Sequence, residues 1–407
     1  MKVCIVTPKL LRSDGQGRVN YELALYLARA GHQVSLIAMV IDPALDGLEN
    51  VSCLRIPPPR WLPTALLRNQ YFALRSCQLL TTLAPDLDIV HLNGSLTYYP
   101  ADINTSHFVH SNWLRSAYHP SRTFAAKNFG RMYAAYQWFY TQLNAEWERK
   151  AYQAASVVVA VSDFVKSSLV QDAQIIPDKI VTVLNGVDTQ EFHPLEKNAE
   201  NLLRKELNLA SDQFVVFFAG GIRTNRKNLD LTLNALTQLD CSVHLVVAGS
   251  TVGSAYPNIA QELNIHNRVH FLGHRNDVSN LLRCADAFAF PSHYDPFSLS
   301  VLEALASGVP VITAPSVGSS VLIRSGINGF LLEHSDDLDG MITALSYLTK
   351  YPDSAAQIGM NGRRTAEAHS WLHMAKQYEE IYQTVYQEKR MNSVHKLPES
   401  RPLEQKI

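Results

Sequence analysis

The stretch HYDPFSLSVLEALASGVPVIT, residues 293–313, demands a loop, a helix, a tight cap and a strand within 21 positions. Just before it, the apolar run in CADAFAFPS stops at Pro291, which suits a buried parallel strand. Val301, Leu302, Leu305 and Ala306 then recur at helical spacing, with Ser298 placed to cap the start and Gly308 to close the end. A strand that feeds a loop and then a helix turns the unpaired N–H groups of the first helical turn outward, with the positive end of the helix dipole behind them. That is an anion site, and phosphate is its usual tenant. Two carboxylates bracket it: Asp295 in the loop and Glu303 in the second helical turn. An acid in mid-helix repels phosphate, so Glu303 is expected to accept hydrogen bonds from hydroxyls on a neutral part of the same ligand.

The rest of the chain must supply a scaffold and a counter-face. Its 407 residues exceed one ordinary core, so two domains are expected. With 46% hydrophobic and 18% charged residues and a net charge of −1, it reads as a soluble globular protein with no electrostatic case for nucleic acid. Residues 1–190 hold 17 basic against 14 acidic residues and the remainder 19 against 23, which makes the front half the basic one. Cys4, Cys53, Cys77, Cys241 and Cys284 contain no CxxC and read as reduced thiols of a cytoplasmic protein. The apolar core of MKVCIVTPK is too short for a signal peptide, and no apolar run approaches the roughly 18 residues needed to span a bilayer. Neither secretion by that route nor a membrane crossing is expected.

In order, KVCIV reads as a strand, TPKLLRSDGQGR as a loop, VNYELALYLARAG as a helix closed by Gly31, and HQVSLIAMV as the next strand. Gly15 and Gly17 suggest a dinucleotide fingerprint, but Asn20 stands where the third glycine belongs and the loop is too long for the tight strand-to-helix turn. PDLDIVHLNG reads as a buried strand ending at His91, followed by a segment with His107 and His110. AASVVVAVSDFVKSSL gives a strand, a cap at Ser162–Asp163 and a helix. FVVFFAGG opens the second domain as a strand, and the loop after it carries Arg223, Arg226 and Lys227 ahead of a helix beginning near Asn228. Three cations on one loop suit either a solvated surface or an anion clamp. SWLHMAKQYEEIYQTVYQEK is a long amphipathic helix, and the polar tail after it is expected to be disordered.

The 293–313 stretch resembles the signature E-x-F-G-x-x-x-x-E-A-x-A-x-G-x-P-V of retaining GT-B glycosyltransferases of the family 4, or glycosyl transferases group 1, type. It matches at Phe297, Glu303, Ala304, Ala306, Gly308, Pro310 and Val311, and departs at Asp295 (usually Glu) and Ser298 (usually Gly). Further matches are Gly31-His32-Gln33-Val34, the junction pattern from Asn185 to Pro194, the Arg226-Lys227 pair with Asn228 in place of glycine, and Phe271-Leu272-Gly273. Val321 and Ser325 depart from the pattern where acids are customary.

The resemblance implies an α/β, GT-B architecture: two Rossmann-like domains facing an interdomain cleft, here residues 1–190 and 191–370. A helix over 371–390 would cross back to the first domain, ahead of a tail over 391–407. It implies sugar transfer from a nucleotide donor, a UDP- or GDP-sugar, to a hydroxyl of an envelope, lipid-linked or small-molecule acceptor, with retention, no metal and no cofactor beyond the donor. Asp295, Arg226, Lys227 and His107 would be catalytic, with His110 the second choice of histidine. Gly15, Gly17, Arg223, Leu272, Gly273, Phe297, Ser298, Leu299 and Glu303 would hold the donor. A sugar-nucleotide enzyme such as an epimerase, or a nucleotide-sugar-binding protein that has lost catalysis, stays open as an alternative.

The acceptor side is read from charge. No Asp or Glu lies between Glu49 and Asp86 or between Asp102 and Glu146, whereas Arg55, Arg60, Arg68, Arg75, Arg115, Arg122, Lys127 and Arg131 occur among many aromatics. Cations mixed with aromatics suit the surface of an anionic membrane as well as they suit a packed core beneath a solvated surface. His110, Arg122, Lys127 and Arg131 are therefore expected on the side of a lipid-linked or anionic acceptor, with the protein peripheral to the inner membrane face.

Overall fold

The computed structural model describes residues 1–195, 202–207 and 209–394. Two wholly parallel sheets organise them. The first contains β1 (Lys2–Val6), β3 (Gln33–Ala38), β5 (Val51–Arg55), β6 (Ile89–Asn93), β7 (Ile103–Ser106), β8 (Val157–Ala160) and β9 (Ile180–Thr182), while β2 (Lys9–Leu10) and β4 (Val40–Ile41) form a small parallel pair. Its order is β5-β3-β1-β6-β7-β8-β9. The second contains β10 (Phe214–Ala219), β11 (Val243–Ala248), β12 (Val269–Gly273), β13 (Ala287–Phe290), β14 (Val311–Thr313) and β15 (Phe330–Leu331), in the order β12-β11-β10-β13-β14-β15. In both, strand order reverses beside the first strand, and an open parallel sheet binds ligands in the crevice at that switch point.

The sequence dictates this directly. β6 and β11 are buried at every residue, as strands covered by helices on both faces must be, and their runs IVHLN and VHLVVA are accordingly apolar apart from residues with internal partners. His91, in mid-β6, bonds Tyr382 through Nδ1 (2.6 Å) and Thr105 through Nε2 (2.7 Å). β6 runs on to Asn93, two residues past the end expected at His91.

The first helix, Gly15–Arg29, begins four residues earlier than hydrophobic spacing predicts. Asp14 caps it by accepting from the Gly17 N–H at 2.9 Å, which draws both glycines into the first turn. The segment Phe124–Ala154 is two helices meeting at Gly130, whose φ of +82° only glycine adopts readily.

The last helix, Trp371–Val394, leaves the second domain and packs on the first. Met374, Ala375, Tyr378, Tyr382 and Val385 are buried with Val3, Ile5, Val34 and Ile103 in one core. Residues 391–394 thus continue the helix, and the remainder of the expected tail lies outside the described residues. The return is seated at Gly186, where a Cβ would lie 2.5 Å from the Trp371 nitrogen, and Val187 bridges Ser370.

Candidate active site

A cleft of about 1090 Å³ separates the carboxyl ends of the two sheets. Ala219 at the end of β10 and Gly220 after it, Phe290 at the end of β13, the Arg226-Lys227 turn, and residues 295–300 with Glu303 line one side. Residues 12–16 with Arg18 and Val19, His107 and Phe108 after β7, and Val161 after β8 line the other.

The cations are aimed by a single 3-10 turn, Asn225–Lys227. Asn228 follows in the left-handed region (φ +55°), a conformation that glycine or asparagine tolerates, and its side chain caps the helix Leu229–Thr237 by accepting from Leu231 N–H at 3.3 Å. The Arg226 carbonyl accepts from Ser292 Oγ and from the His293 N–H, both at 2.9 Å. Lys227 is ion-paired with Asp295, and its ammonium lies 4.8 Å from the centre of the Phe290 ring. Burial pushes the Lys227 pKa down and Arg226 adds to the push, while Asp295 pulls it back up. The carboxylate therefore opposes, without cancelling, the effect of burial on the cation it pairs with.

The loop that carries Asp295 is pinned from three directions. Asp295 N–H donates to Ser316 (3.1 Å), its carbonyl accepts from Gly318 N–H (2.8 Å), and the Pro296 carbonyl accepts from Ser162 Oγ of the first domain (2.6 Å). The helix Leu299–Ala306 starts directly after Ser298, and Gly308 turns the chain with φ +71°. Ser298 stands at the cap position, but its hydroxyl pairs with Ser300 Oγ (2.9 Å) instead of a backbone N–H. Among the described residues no side chain caps the first turn, and Leu299 and Ser300 of that turn line the cleft.

Glu303 faces the same cleft, and among the described residues its carboxylate has no hydrogen-bond or ion-pair partner. Burial pushes its pKa up to about 7; Glu191 acts in the same direction and Arg18 against it. Arg18 bonds Glu22 (2.7 Å) and Glu191 (3.3 Å) and lies 5.9 Å from the Trp371 ring centre, so it joins the first helix, the interdomain junction and the start of the last helix. Opposite, His107 Nε2 donates to Asn93 Oδ1 at 2.9 Å, and burial pushes its pKa down to about 4 against the pull of Asp14. It is neutral at pH 7, with Nδ1 left as an acceptor.

Two family models meet on this chain: Glycosyltransferase Family 4 matches residues 13–191, and Glycosyl transferases group 1 matches residues 199–365. The chain belongs to the group 1 glycosyl transferases. This glycosyltransferase is 28% identical over 282 residues to alpha-maltose-1-phosphate synthase of Mycolicibacterium smegmatis, covering 65% of this chain and 70% of that one. It is 30% identical over 190 residues to UDP-Gal:alpha-D-GlcNAc-diphosphoundecaprenol alpha-1,3-galactosyltransferase of Escherichia coli, covering 45% and 49%. Its fold matches sucrose-phosphate synthase of Thermosynechococcus elongatus with a TM-score of 0.78 at 18% identity, over 95% of this chain and 99% of that one.

The glycosyltransferase brings Asp295, Arg226, Lys227, His107, Gly15, Phe297, Ser298, Leu299 and Glu303 together around the cleft. Other expected site residues lie elsewhere. Gly17 is buried against Asp14 and Leu11, where a Cβ would approach Asp14 Cβ to 2.9 Å, so it serves the cap and not the ligand. Arg223 points away, toward Gly253 and a small recess beside Tyr256. Leu272 and Gly273 are set back, and His274, Arg275 and Asn276 form that wall one step later. His110 is occupied by Glu148, which takes both its N–H (2.9 Å) and Nδ1 (2.7 Å). Arg122 closes the helix His110–Arg115 by donating to the carbonyls of Leu114 (2.7 Å) and Ser116 (2.8 Å). Arg131 is exposed outside the cleft, and the side chain of Lys127 lies outside the described residues. Sequence reasoning missed Arg18, Glu191 and Ser162. Arg18 is hidden when residues 7–18 are read as a loop; Ser162 is legible as the helix cap that it is, but not as the partner of the Pro296 carbonyl, and nothing local marks Glu191.

Proposed function

We propose that this enzyme transfers a sugar from a nucleotide-sugar donor to a hydroxyl acceptor with retention, using no cofactor beyond the donor. The observation that carries the reading is one cleft that holds paired cations, a first helical turn that no side chain caps and an unpartnered carboxylate. The donor diphosphate would lie between Arg226-Lys227 and the first turn of Leu299–Ala306, and its ribose hydroxyls would donate to Glu303. As the anomeric C–O bond breaks, negative charge collects on the departing diphosphate, where the fixed cations Arg226 and Lys227 would stabilise it. The acceptor hydroxyl would attack from the side of the leaving group and give its proton to the departing phosphate oxygen. Asp295, one methylene shorter than the customary glutamate, would hold Lys227 in place and reach the sugar at the loop. His107, neutral, would accept a sugar hydroxyl from across the cleft.

The donor base is proposed to be uracil or guanine, the former favoured by the UDP-galactose in the name of the relative from Escherichia coli. The same name contains a lipid diphosphate acceptor, and the first domain has a surface that fits one. Trp61 (78% exposed), Leu67, Leu74, Met132 (88%), Trp138 and Phe139 stand out beside Arg60, Arg75 and Arg131 in the acid-free segments. The acceptor is accordingly proposed to be lipid-linked, at an anionic membrane face.

Titration with UDP, GDP and ADP, each alone and as its glucose conjugate, tests the donor site. Arg226→Ala with Lys227→Ala should cost diphosphate affinity and turnover, each by at least about 10-fold, with uridine or guanosine binding little changed. Unaltered affinity and turnover in the double variant would remove the cation clamp, and an inverted anomer in the product would remove retention.

A further inference from the structure

Two neighbouring residues of the Asp295 loop are gripped by the first domain. Tyr294 OH accepts from the Val109 N–H (3.1 Å) and reaches the Val109 carbonyl (3.3 Å), with its ring against Phe108, Trp113 and Phe164 at 5.0, 5.3 and 5.6 Å. Tyr118 comes from the turn between the helices His110–Arg115 and Phe124–Ala154. It lies flat on His293, with ring centres 3.4 Å apart and planes 4° from parallel, and its hydroxyl donates to the Asp336 carboxylate.

His293 connects this contact to the chemistry. Its N–H holds the Arg226 carbonyl at 2.9 Å, and its Nδ1 bonds Ser335 Oγ at 2.9 Å. Its buried Nε2 has no hydrogen-bond partner among the described residues and lies 3.8 Å from Asp336 Oδ1. Asn228, directly after the cation pair, donates to the Ser335 carbonyl and to Asp336 Oδ1 (3.5 Å). Neither Tyr118 nor His293 lines the cleft, so any effect on the reaction must pass through Arg226 and Asp295.

We propose that Tyr118 is a positioning residue, an interdomain latch that seats the Arg226-Lys227 turn and the Asp295 loop. Its bearing on turnover rests on the glycosyl-transfer reading, but its test needs no substrate. Hydrogen exchange on the full chain should show amides of 225–228 and 292–297 exchanging at least about 10-fold faster in Tyr118→Ala, with β11 unchanged. Tyr118→Phe, which keeps the stacked ring and loses the bond to Asp336, should recover most of the protection, and Asp336→Asn should match it. Wild-type exchange at 225–228 and 292–297 in Tyr118→Ala overturns the latch. Should that variant not fold, equal and complete loss of protection in Tyr118→Phe overturns the part given to stacking. UDP and GDP affinities should fall by no more than the roughly 10-fold expected for removing Arg226 and Lys227 outright; a larger loss, or any loss without faster exchange at 225–228, overturns a role exerted through that turn. The exchange result judges the latch even if neither nucleotide binds, an outcome that would instead overturn the donor assignment.

Discussion

Glu303 is an acid held where ionisation is costly. Its pKa is about 7 in the folded chain against an ordinary 4.5, because burial and Glu191 both disfavour the charge. The folded state therefore keeps a proton that the unfolded chain has already released. Stability falls as pH rises from about 4.5 to 7, by on the order of 3 kcal/mol for this group, and stays lowered above that range. Glu303→Gln should accordingly stabilise the ligand-free protein at pH 8 and barely change it at pH 5, as denaturant titration at the two pH values would show. The same substitution should weaken nucleotide binding by about 10-fold or more, since a carboxylate accepts from hydroxyls more strongly than an amide does. A residue that costs stability when empty and gains affinity when filled belongs to a ligand. Glu303 was legible in the sequence because helical spacing and the eight-residue interval from Asp295 fixed its face. Arg18 was not, because its helix starts on two glycines and an aspartate that spacing rules read as loop.

Among elements, the Asp295 loop shows how a site can depend on packing far along the chain. A Cβ on Gly318 would lie 1.8 Å from the Pro296 carbonyl oxygen and 2.4 Å from Ser162 Oγ. Gly318→Ala must move the loop, at a cost of roughly 1–3 kcal/mol, and should lower turnover more than nucleotide affinity. Ser162→Ala should do the same more mildly, by freeing the Pro296 carbonyl from its 2.6 Å bond. Paired denaturation curves and kinetics would check both. The parallel strands, the helix Leu299–Ala306 and its glycine stop could be read from apolar runs and punctuation. Which of three cations on one loop enters the cleft could not. Arg223 and Arg226 differ by three positions, and only the turn Asn225–Lys227 with left-handed Asn228 after it decides their directions.

For the whole molecule, the sequence shows the basic half and the acid-free stretches, and the fold decides which of those residues are free to meet a partner. Arg122 is committed to carbonyl groups of its own domain, so a charge-reversal test there would mix docking with folding. Arg60, Arg75 and Arg131 are better probes. Changed together to Glu, they should abolish co-sedimentation with vesicles containing anionic lipid, and wild-type binding should weaken as salt rises, since each cation near such a surface contributes about 1 kcal/mol. Binding that ignores salt, or its absence from every vesicle, would favour a water-borne acceptor. No helix among the described residues is long and apolar enough to cross a membrane.

The helix Trp371–Val394 carries one more consequence, in the order of synthesis. Tyr378, Tyr382 and Val385 complete the packing around strands made from the first hundred residues, and His91 in mid-sheet waits for the Tyr382 hydroxyl. Of the two domains, the one synthesised earlier is therefore expected to close last. Nascent chains stalled after residue 300 should expose the first domain to protease, and chains released beyond residue 394 should not.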